Sequence, residues 1–160
     1  MDFAAEAERL VRQHYLSRAE QAALNLPALA SFWHSTIGRN ILAQRENVRR
    51  ELPFTARFSP QELARITGVG AGAGLEAEYV IVQGVADLIV LRPDEIWLVD
   101  FKTDQVSEPE LAEKIRNYSP QLRLYALALE KIFTRRVTLL ALHFLTMGIT
   151  EKISRSDCSF

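Results

Sequence analysis

The segment VQGVADLIVLRPDEIWLVDFKTD, residues 82–104, decides the fold because it reads as two apolar strands joined by a tight turn. With Pro93 and Asp94 at the centre of the turn, Ile89 pairs with Leu98 in an antiparallel register. Near the turn both faces of the two strands are apolar, which is typical of strands buried on both sides. We therefore predict a β-hairpin that lies in the middle of a sheet.

Three charged residues interrupt this apolar hairpin. The same register places Asp87 opposite Asp100, with Lys102 two residues further along on their face, while Ala86 and Leu88 point to the opposite face. Carboxylates that face each other directly repel, so the pair needs a cation. Lys102 supplies part of that charge, and Mg²⁺, which one or two carboxylates commonly hold, is the fuller solution. A salt-bridged cluster at a sheet edge is the alternative, and a one-residue slip would move Asp87 to the other face.

The composition bounds the class of protein. The chain has 160 residues, of which 48% are hydrophobic and 24% are charged, and its formal net charge is −1. These values suit one globular domain, and they neither indicate nor exclude a nucleic-acid binder. The single cysteine, Cys158, excludes an internal disulfide and a multi-cysteine zinc site, and it favours a reducing, cytoplasmic setting. No run approaches the roughly 20 apolar residues of a membrane span.

The remaining segments predict helices that pack on a central sheet. Apolar residues at helical spacing indicate a helix over 3–16, and Asn25 marks the start of another. Residues 48–58 favour a strand, in which Pro53 indicates a sheet edge or a bulge. A capping box at Ser59 begins a brief helix. Further elements are predicted in this order: a short helix at 36–45, strands at 79–91 and 96–103, a helix at 109–116, a second helix from Ser119 to about Phe133, and a buried strand at 137–145.

This order of elements indicates an α/β or α+β core with helices on a central sheet. GVGAGAG, residues 68–74, lacks the glycine spacing of a dinucleotide-binding loop, and no Gly-Lys-Ser/Thr follows it. We interpret it as a flexible connector. Motor motifs are absent from the sequence, so any use of ATP would take place elsewhere.

Several short motifs occur in a specific order. They are RELPF at 50–54, GVAD at 84–87, VDFKTD at 99–104 and YSPQLRLYA at 118–126. In this order and spacing the sequence resembles the RecB-like branch of the PD-(D/E)xK nucleases, especially the C-terminal nuclease domain of RecB-type and AddAB-type helicase–nucleases. The similarity covers about residues 25–147.

The resemblance implies a fold and a function. The family fold is α/β with a restriction-endonuclease-like core, a central mixed sheet flanked by helices. The implied activity is metal-dependent hydrolysis of phosphodiester bonds in DNA, as an exonuclease domain in DNA repair and recombination. Residues 1–160 would then form a single nuclease domain, the C-terminal part of a longer protein, with DNA and the helicase motor domains of the same or a partner chain as partners and no membrane. The alternative is a nuclease-like module that binds DNA or partner subunits with little or no cleavage.

The resemblance also implies roles for residues of the hairpin. Asp87 and Asp100 would bind the catalytic Mg²⁺ or Mn²⁺, and the backbone carbonyl of Phe101 would complete the metal site. Lys102 would orient or activate the attacking water and stabilise charge on the phosphate. These roles agree with the chemistry of phosphodiester hydrolysis, which needs a metal at the phosphoryl oxygen and cations where negative charge grows.

Two further residues are implied in DNA positioning. Gln121 and Tyr125 lie four residues apart, so they share a helix face and would line the site. The family often supplies another metal ligand, a histidine, from a helix well before the hairpin. His14 and His34 are candidates, but we favour a ligand helix that precedes residue 1.

The other polar positions are interpreted as structural. Glu51 is expected to orient the fold rather than bind metal, and Tyr118 to be a packing residue. His143 lies in an apolar run and is expected to be a core histidine with satisfied hydrogen bonds. Scattered arginines are usually solvated surface, so no role is predicted for this group: Arg45, Arg49, Arg50, Arg123, Arg135 and Arg136.

Overall fold

A computed structural model of the chain describes residues 2–67, residue 70 and residues 78–154. Its centre is a five-stranded mixed sheet with the strand order β1-β2-β3-β4-β5. The elements in chain order are α1 Phe3–Arg12, α2 Arg18–Ala23, α3 Leu26–His34, α4 Thr36–Leu42, a 3-10 helix Arg45–Asn47, β1 Val48–Phe58, α5 Pro60–Thr67, β2 Val80–Leu91, β3 Glu95–Lys102, α6 Glu108–Phe133, β4 Arg136–Phe144 and β5 Ile149–Lys152.

Most local predictions are confirmed. Asn25 caps α3 through a hydrogen bond from the backbone N–H of Ala28. Ser59 and Glu62 form the capping box that starts α5. The strand that contains Pro53 lies at an edge of the sheet. The predicted connector at 68–74 lies, apart from residue 70, outside the described residues.

The central hairpin has the predicted register near its turn but not at its far end. β2 and β3 pair antiparallel, with Ile89 opposite Leu98 and Leu88 opposite Val99. Pairing ends there, so the expected pair of Asp87 and Asp100 does not form part of the ladder. β3 instead continues through Lys102 in parallel pairing with β4. The two strands therefore separate at the charged residues.

The alternation of side chains also breaks at this level of the sheet. Ala86 packs in the same core cluster as Ile89, whereas Leu88 packs in the other cluster. On the neighbouring strand β1, Glu51 has a left-handed φ of 48°. Such a conformation interrupts a pleated strand, and Glu51 lies between Val48, in one cluster, and Phe54, in the other. The prediction that Ala86 shares a face with Leu88 is therefore wrong.

The two core clusters lie on opposite sides of the sheet. The larger one packs the sheet against α6, and the smaller one includes Phe32 from α3 and Ile41 from α4 together with β2 and β3 side chains. Both aromatic and aliphatic residues of the smaller cluster are completely buried. The helices thus cover both faces of the central strands, which explains their apolar sequences.

Helix α6 is continuous, whereas the sequence predicted two helices separated at Ser119. Pro120 lies inside α6 and lacks the N–H of a normal helical hydrogen bond. The hydroxyl of Ser119 donates a hydrogen bond to the carbonyl of Ile115 at 2.5 Å. Leu122 and Leu129 are buried against the sheet beyond the proline. Burial of one uninterrupted apolar face offsets the cost of the proline, about 3 kcal/mol.

Two short elements were not predicted. α2 contains few apolar residues, and β5 has the sequence ITEK, which lacks an apolar alternation. β5 forms because β4 offers it a free edge, where Leu142 pairs with Glu151. Across the described ranges, no helix is long and apolar enough to span a membrane.

Candidate active site

The candidate site lies where β2 and β3 separate. The carboxylate oxygen Oδ2 of Asp87 accepts a hydrogen bond from the backbone N–H of Phe101 at 2.8 Å. A side chain therefore takes the place of the ladder partner that β2 no longer provides. This contact holds Asp87 beside β3, and its charge acts on neighbouring Asp100.

Asp100 is a buried carboxylate beside an ammonium group. Its residue is 7% exposed, and Nζ of Lys102 lies 2.8 Å from its Oδ2. Burial raises the pKa of Asp100, Lys102 opposes that rise, and the charge of Asp87 adds to it. The contact with Lys102 is an ion pair without hydrogen-bond geometry, since Oδ2 has no hydrogen-bond partner among the described residues. A buried oxygen with unused acceptor capacity suits a bound cation.

The donor set fits a hard divalent ion. Carboxylate and carbonyl oxygens are the ligands that Mg²⁺ prefers, and such sites commonly keep several waters. Within the described ranges, no group of three or more His, Cys, Asp or Glu side chains is placed to hold a metal. His14 and His34 are both exposed, and neither joins Asp87 and Asp100 in such a group.

Lys102 is held on a second side by Tyr118. Its ammonium lies 4.1 Å from the centroid of the Tyr118 ring, and its side chain is 16% exposed. The Tyr118 hydroxyl donates a hydrogen bond to Asp104 at 2.9 Å, and Lys114 contacts the same carboxylate at 3.3 Å. Tyr118 is thus more than the packing residue that was expected. Its spacing of seven residues from Tyr125 places both on one helix face, a signal that could have linked it to the site.

Gln121 and Tyr125 contact each other on the exposed side of α6. The Gln121 amide donates a hydrogen bond to the Tyr125 hydroxyl at 3.1 Å. The Tyr125 ring packs edge-on against Phe54 with centroids 4.8 Å apart. A Cβ atom at Gly84 would lie 2.7 Å from this ring. Gly84 therefore leaves the space in which Tyr125 approaches β2.

A pocket of about 340 Å³ opens beside Asp87 on the α3 side of the sheet. Its polar lining comes from Arg50, Glu51 and Asp87, and Trp33 and Phe101 contribute aromatic walls. Glu51, interpreted from sequence as structural, is exposed here and combines its left-handed backbone with a place next to Asp87. Strained backbone of this kind often occurs at functional sites.

His143 lies beneath the site in β4. It is 0% exposed, and its Nδ1 lies 2.8 Å from the hydroxyl of Thr150. Its Nε2 has no hydrogen-bond partner in the described part of the chain. Burial lowers the pKa of His143 to about 4. The expected burial is confirmed, but the expectation of fully satisfied hydrogen bonds is wrong.

The chain belongs to the PD-(D/E)XK nuclease superfamily, whose family model matches residues 1–152. The mixed sheet with flanking helices is the restriction-endonuclease-like α/β fold of this superfamily, as the sequence predicted.

The relatives with matching sequences are much longer proteins, all of them ATP-dependent helicase/nuclease subunits of the same type. The chain is 34% identical to the one from Moorella thermoacetica, over 92% of this chain and 10% of that protein. It is 33% identical to the one from Carboxydothermus hydrogenoformans, over 89% of this chain and 12% of that protein. For the one from Listeria innocua the values are 31%, 81% and 10%. The chain thus spans about a tenth of the length of these relatives.

Proposed function

We propose that this chain is a nuclease domain that hydrolyses phosphodiester bonds of DNA with the help of Mg²⁺ or Mn²⁺. The observation that carries the proposal is the pairing of Asp87, fixed on Phe101, with buried Asp100, whose Oδ2 lacks a hydrogen-bond partner in the described structure. Lys102 lies directly beside them. In a chain of the PD-(D/E)XK nuclease superfamily, such an arrangement supports a catalytic site.

The metal would be held by Asp87, Asp100 and the backbone carbonyl of Phe101. A divalent ion bound there supplies polarisation of a phosphoryl oxygen and activation of water. The ammonium of Lys102 orients the attacking water and stabilises the negative charge that grows on the phosphate. Tyr118 limits the movement of this ammonium, because its ring lies against it.

Gln121 and Tyr125 position the DNA strand. Both lie on α6 and are joined by a hydrogen bond, so they present one fixed polar surface. Alignment of the scissile bond with the attacking water is worth a large part of catalysis, which explains the need for such positioning groups.

The wider setting proposed for the domain is an ATP-dependent helicase–nuclease in the cytoplasm that acts in DNA repair and recombination. The similarity to long helicase/nuclease subunits supports this setting. The chain itself would form one nuclease domain over residues 1–160, with its core at about 25–147. Helicase motor domains would be its partners and would supply the coupling to ATP.

The test is cleavage of an end-labelled single-stranded oligonucleotide with excess protein, in Mg²⁺, in Mn²⁺ and in EDTA. We expect metal-dependent cleavage by the natural chain and none by Asp100→Asn or Lys102→Met variants whose circular dichroism is unchanged. Equal cleavage by natural and variant chains would overturn the proposed site. DNA binding without any cleavage under all conditions would instead favour the binding-module alternative.

A further inference from the structure

We propose that a groove formed by Trp33, Arg45, Arg49 and Arg50 binds single-stranded DNA next to the catalytic site. The inference rests on the proposed function, since it assumes that DNA is the substrate. The groove would hold phosphates through the arginines and one base on the face of the tryptophan. It would guide the strand toward Asp87.

The groove has a volume of about 350 Å³ and lies between α4 and the start of β1. Its floor is apolar and includes buried Ile41. Arg45 belongs to the 3-10 helix, whereas Arg49 and Arg50 belong to β1, and all three are exposed. Three guanidinium groups thus converge on one concave surface of a chain whose formal net charge is −1.

The charges of this groove are not neutralised by neighbours. None of the three arginines forms an ion pair with a carboxylate of the described residues, although Arg9, Arg18 and Arg92 all do. Arg49 donates hydrogen bonds to the backbone carbonyls of Glu46 and Val48, at 3.0 and 2.9 Å. These bonds fix the guanidinium while its positive charge stays available. Glu46 and Glu51 are the carboxylates nearest in sequence, and Glu51 lines the adjacent pocket.

Trp33 is suited to stack a base. It is partly exposed, and its ring packs edge-on against buried Phe32 with centroids 5.0 Å apart. The guanidinium of Arg50 lies 5.9 Å from the ring centroid. Aromatic rings flanked by arginines are the usual elements of single-strand binding surfaces. A single strand fits better than a duplex, because only unpaired bases can offer a free face to the ring.

The groove is continuous with the candidate active site. Trp33 and Arg50 line both this groove and the pocket that contains Asp87. Arg49 pairs with Ile89 of β2, two residues from Asp87, which corresponds to about 7 Å along the strand. A strand that crosses Trp33 therefore reaches Asp87 within one or two nucleotides.

Binding is measured separately from cleavage, by fluorescence anisotropy of a labelled single-stranded oligonucleotide in EDTA at several salt concentrations. Each arginine that contacts a phosphate should contribute about 0.7 to the slope of log affinity against log salt. We expect Arg49→Ala to reduce the slope by about 0.7, and Arg45→Ala with Arg49→Ala by about 1.4. Trp33→Leu, which keeps an apolar side chain, should weaken binding about tenfold, and Trp33→Phe less.

Arg136→Ala is the matched control. It removes the same charge from an exposed arginine at the start of β4, remote from the groove. We expect its affinity and salt slope to equal those of the natural chain. Groove variants that bind like this control, or a natural chain that does not bind the oligonucleotide, would overturn the proposed groove.

The variant Asp100→Asn separates this inference from the proposed function. We expect it to bind the oligonucleotide in EDTA at least as tightly as the natural chain, while cleavage in Mg²⁺ or Mn²⁺ is lost. If Asp100→Asn abolishes cleavage but the groove variants bind and cleave normally, the groove inference fails and the proposed function stands. If the groove variants weaken binding and no metal-dependent cleavage occurs, the binding surface stands and the nuclease function fails.

Discussion

The Asp87 carboxylate and the backbone N–H of Phe101 are joined by a hydrogen bond of 2.8 Å at the point where two sheet strands separate. Asp87 therefore has two tasks. One oxygen replaces a ladder partner and holds β2 beside β3, and the other oxygen, Oδ1, is left to contact a cation. A substitution can remove these tasks together or separately.

Asp87→Asn should lose metal binding and keep stability, because the amide oxygen can still accept the bond from Phe101. Asp87→Ala should lose both, at a cost of about 1 kcal/mol for the missing hydrogen bond. Calorimetric titration with Mn²⁺ or Ca²⁺ measures the metal affinity, and urea unfolding measures the stability. Asp100→Ala is the companion variant for the metal. Unchanged metal binding in Asp87→Ala and Asp100→Ala would exclude a shared site.

Lys102→Met should abolish cleavage but preserve or increase metal affinity. The ammonium lies 2.8 Å from the same Asp100 oxygen that a metal would contact, so the two cations compete for it. Methionine fills similar space without charge. Removal of one group that stabilises the transition state typically costs about 10²–10³-fold in rate. Cleavage at the natural rate by the folded variant would contradict a chemical role for Lys102.

Gly84→Ala should displace the ring of Tyr125. The added Cβ would lie 2.7 Å from Tyr125 and 2.8 Å from Phe54, closer than side-chain atoms normally approach. Overpacking of this kind costs roughly 1–3 kcal/mol, and the ring can relieve it only by moving away from β2. We expect slower cleavage with little change in metal affinity. The matched control is Tyr125→Phe, which keeps the ring but loses the hydrogen bond from Gln121.

A double variant tests whether Gly84 acts through the Tyr125 hydroxyl. If displacement of that hydroxyl is the whole effect, Gly84→Ala combined with Tyr125→Phe should cleave no more slowly than Tyr125→Phe alone. Additive losses in the double variant would show that Gly84 is needed for another reason.

The sequence predicted the centre of the hairpin because local and global signals agree there. Apolar residues on both strand faces and the turn at Pro93 and Asp94 specify one register, and the structure has it at Ile89 and Leu98. The break at Asp87 could not be predicted in this way. It coincides with a left-handed φ at Glu51, which is not a glycine and so carries no local signal of that conformation.

Tertiary contacts explain the other differences. A proline preceded by serine is a reasonable helix start by local rules, yet the apolar face of α6 continues across Pro120 and is buried as one unit. The contact between Lys102 and Tyr118 joins a strand to a helix, so neither residue's neighbours indicate it. Roles that depend on one residue, such as the carboxylates of the motif, were therefore easier to predict than roles that depend on a pair.

His143 makes the stability of the fold sensitive to acid. Burial lowers its pKa from 6.5 to about 4, so the unfolded chain takes up a proton over this range while the folded chain does not. The stability associated with neutral His143 is therefore complete above pH 6.5 and is lost as the pH falls toward 4. One such group costs at most about 1.4 kcal/mol per pH unit, or about 2 kcal/mol at pH 5.

The test compares the natural chain with His143→Phe by urea unfolding at pH 7.5, 6 and 5. Phenylalanine cannot titrate and can pack among Phe32 and Phe101, the rings that already surround this position. Carboxylates shift the stability of both proteins alike, so the difference between the two proteins isolates the histidine. We expect that difference to change by about 2 kcal/mol between pH 7.5 and pH 5, in favour of the variant at the lower pH. Parallel pH profiles for the two proteins would show that His143 accepts a proton as easily in the folded chain as in the unfolded one.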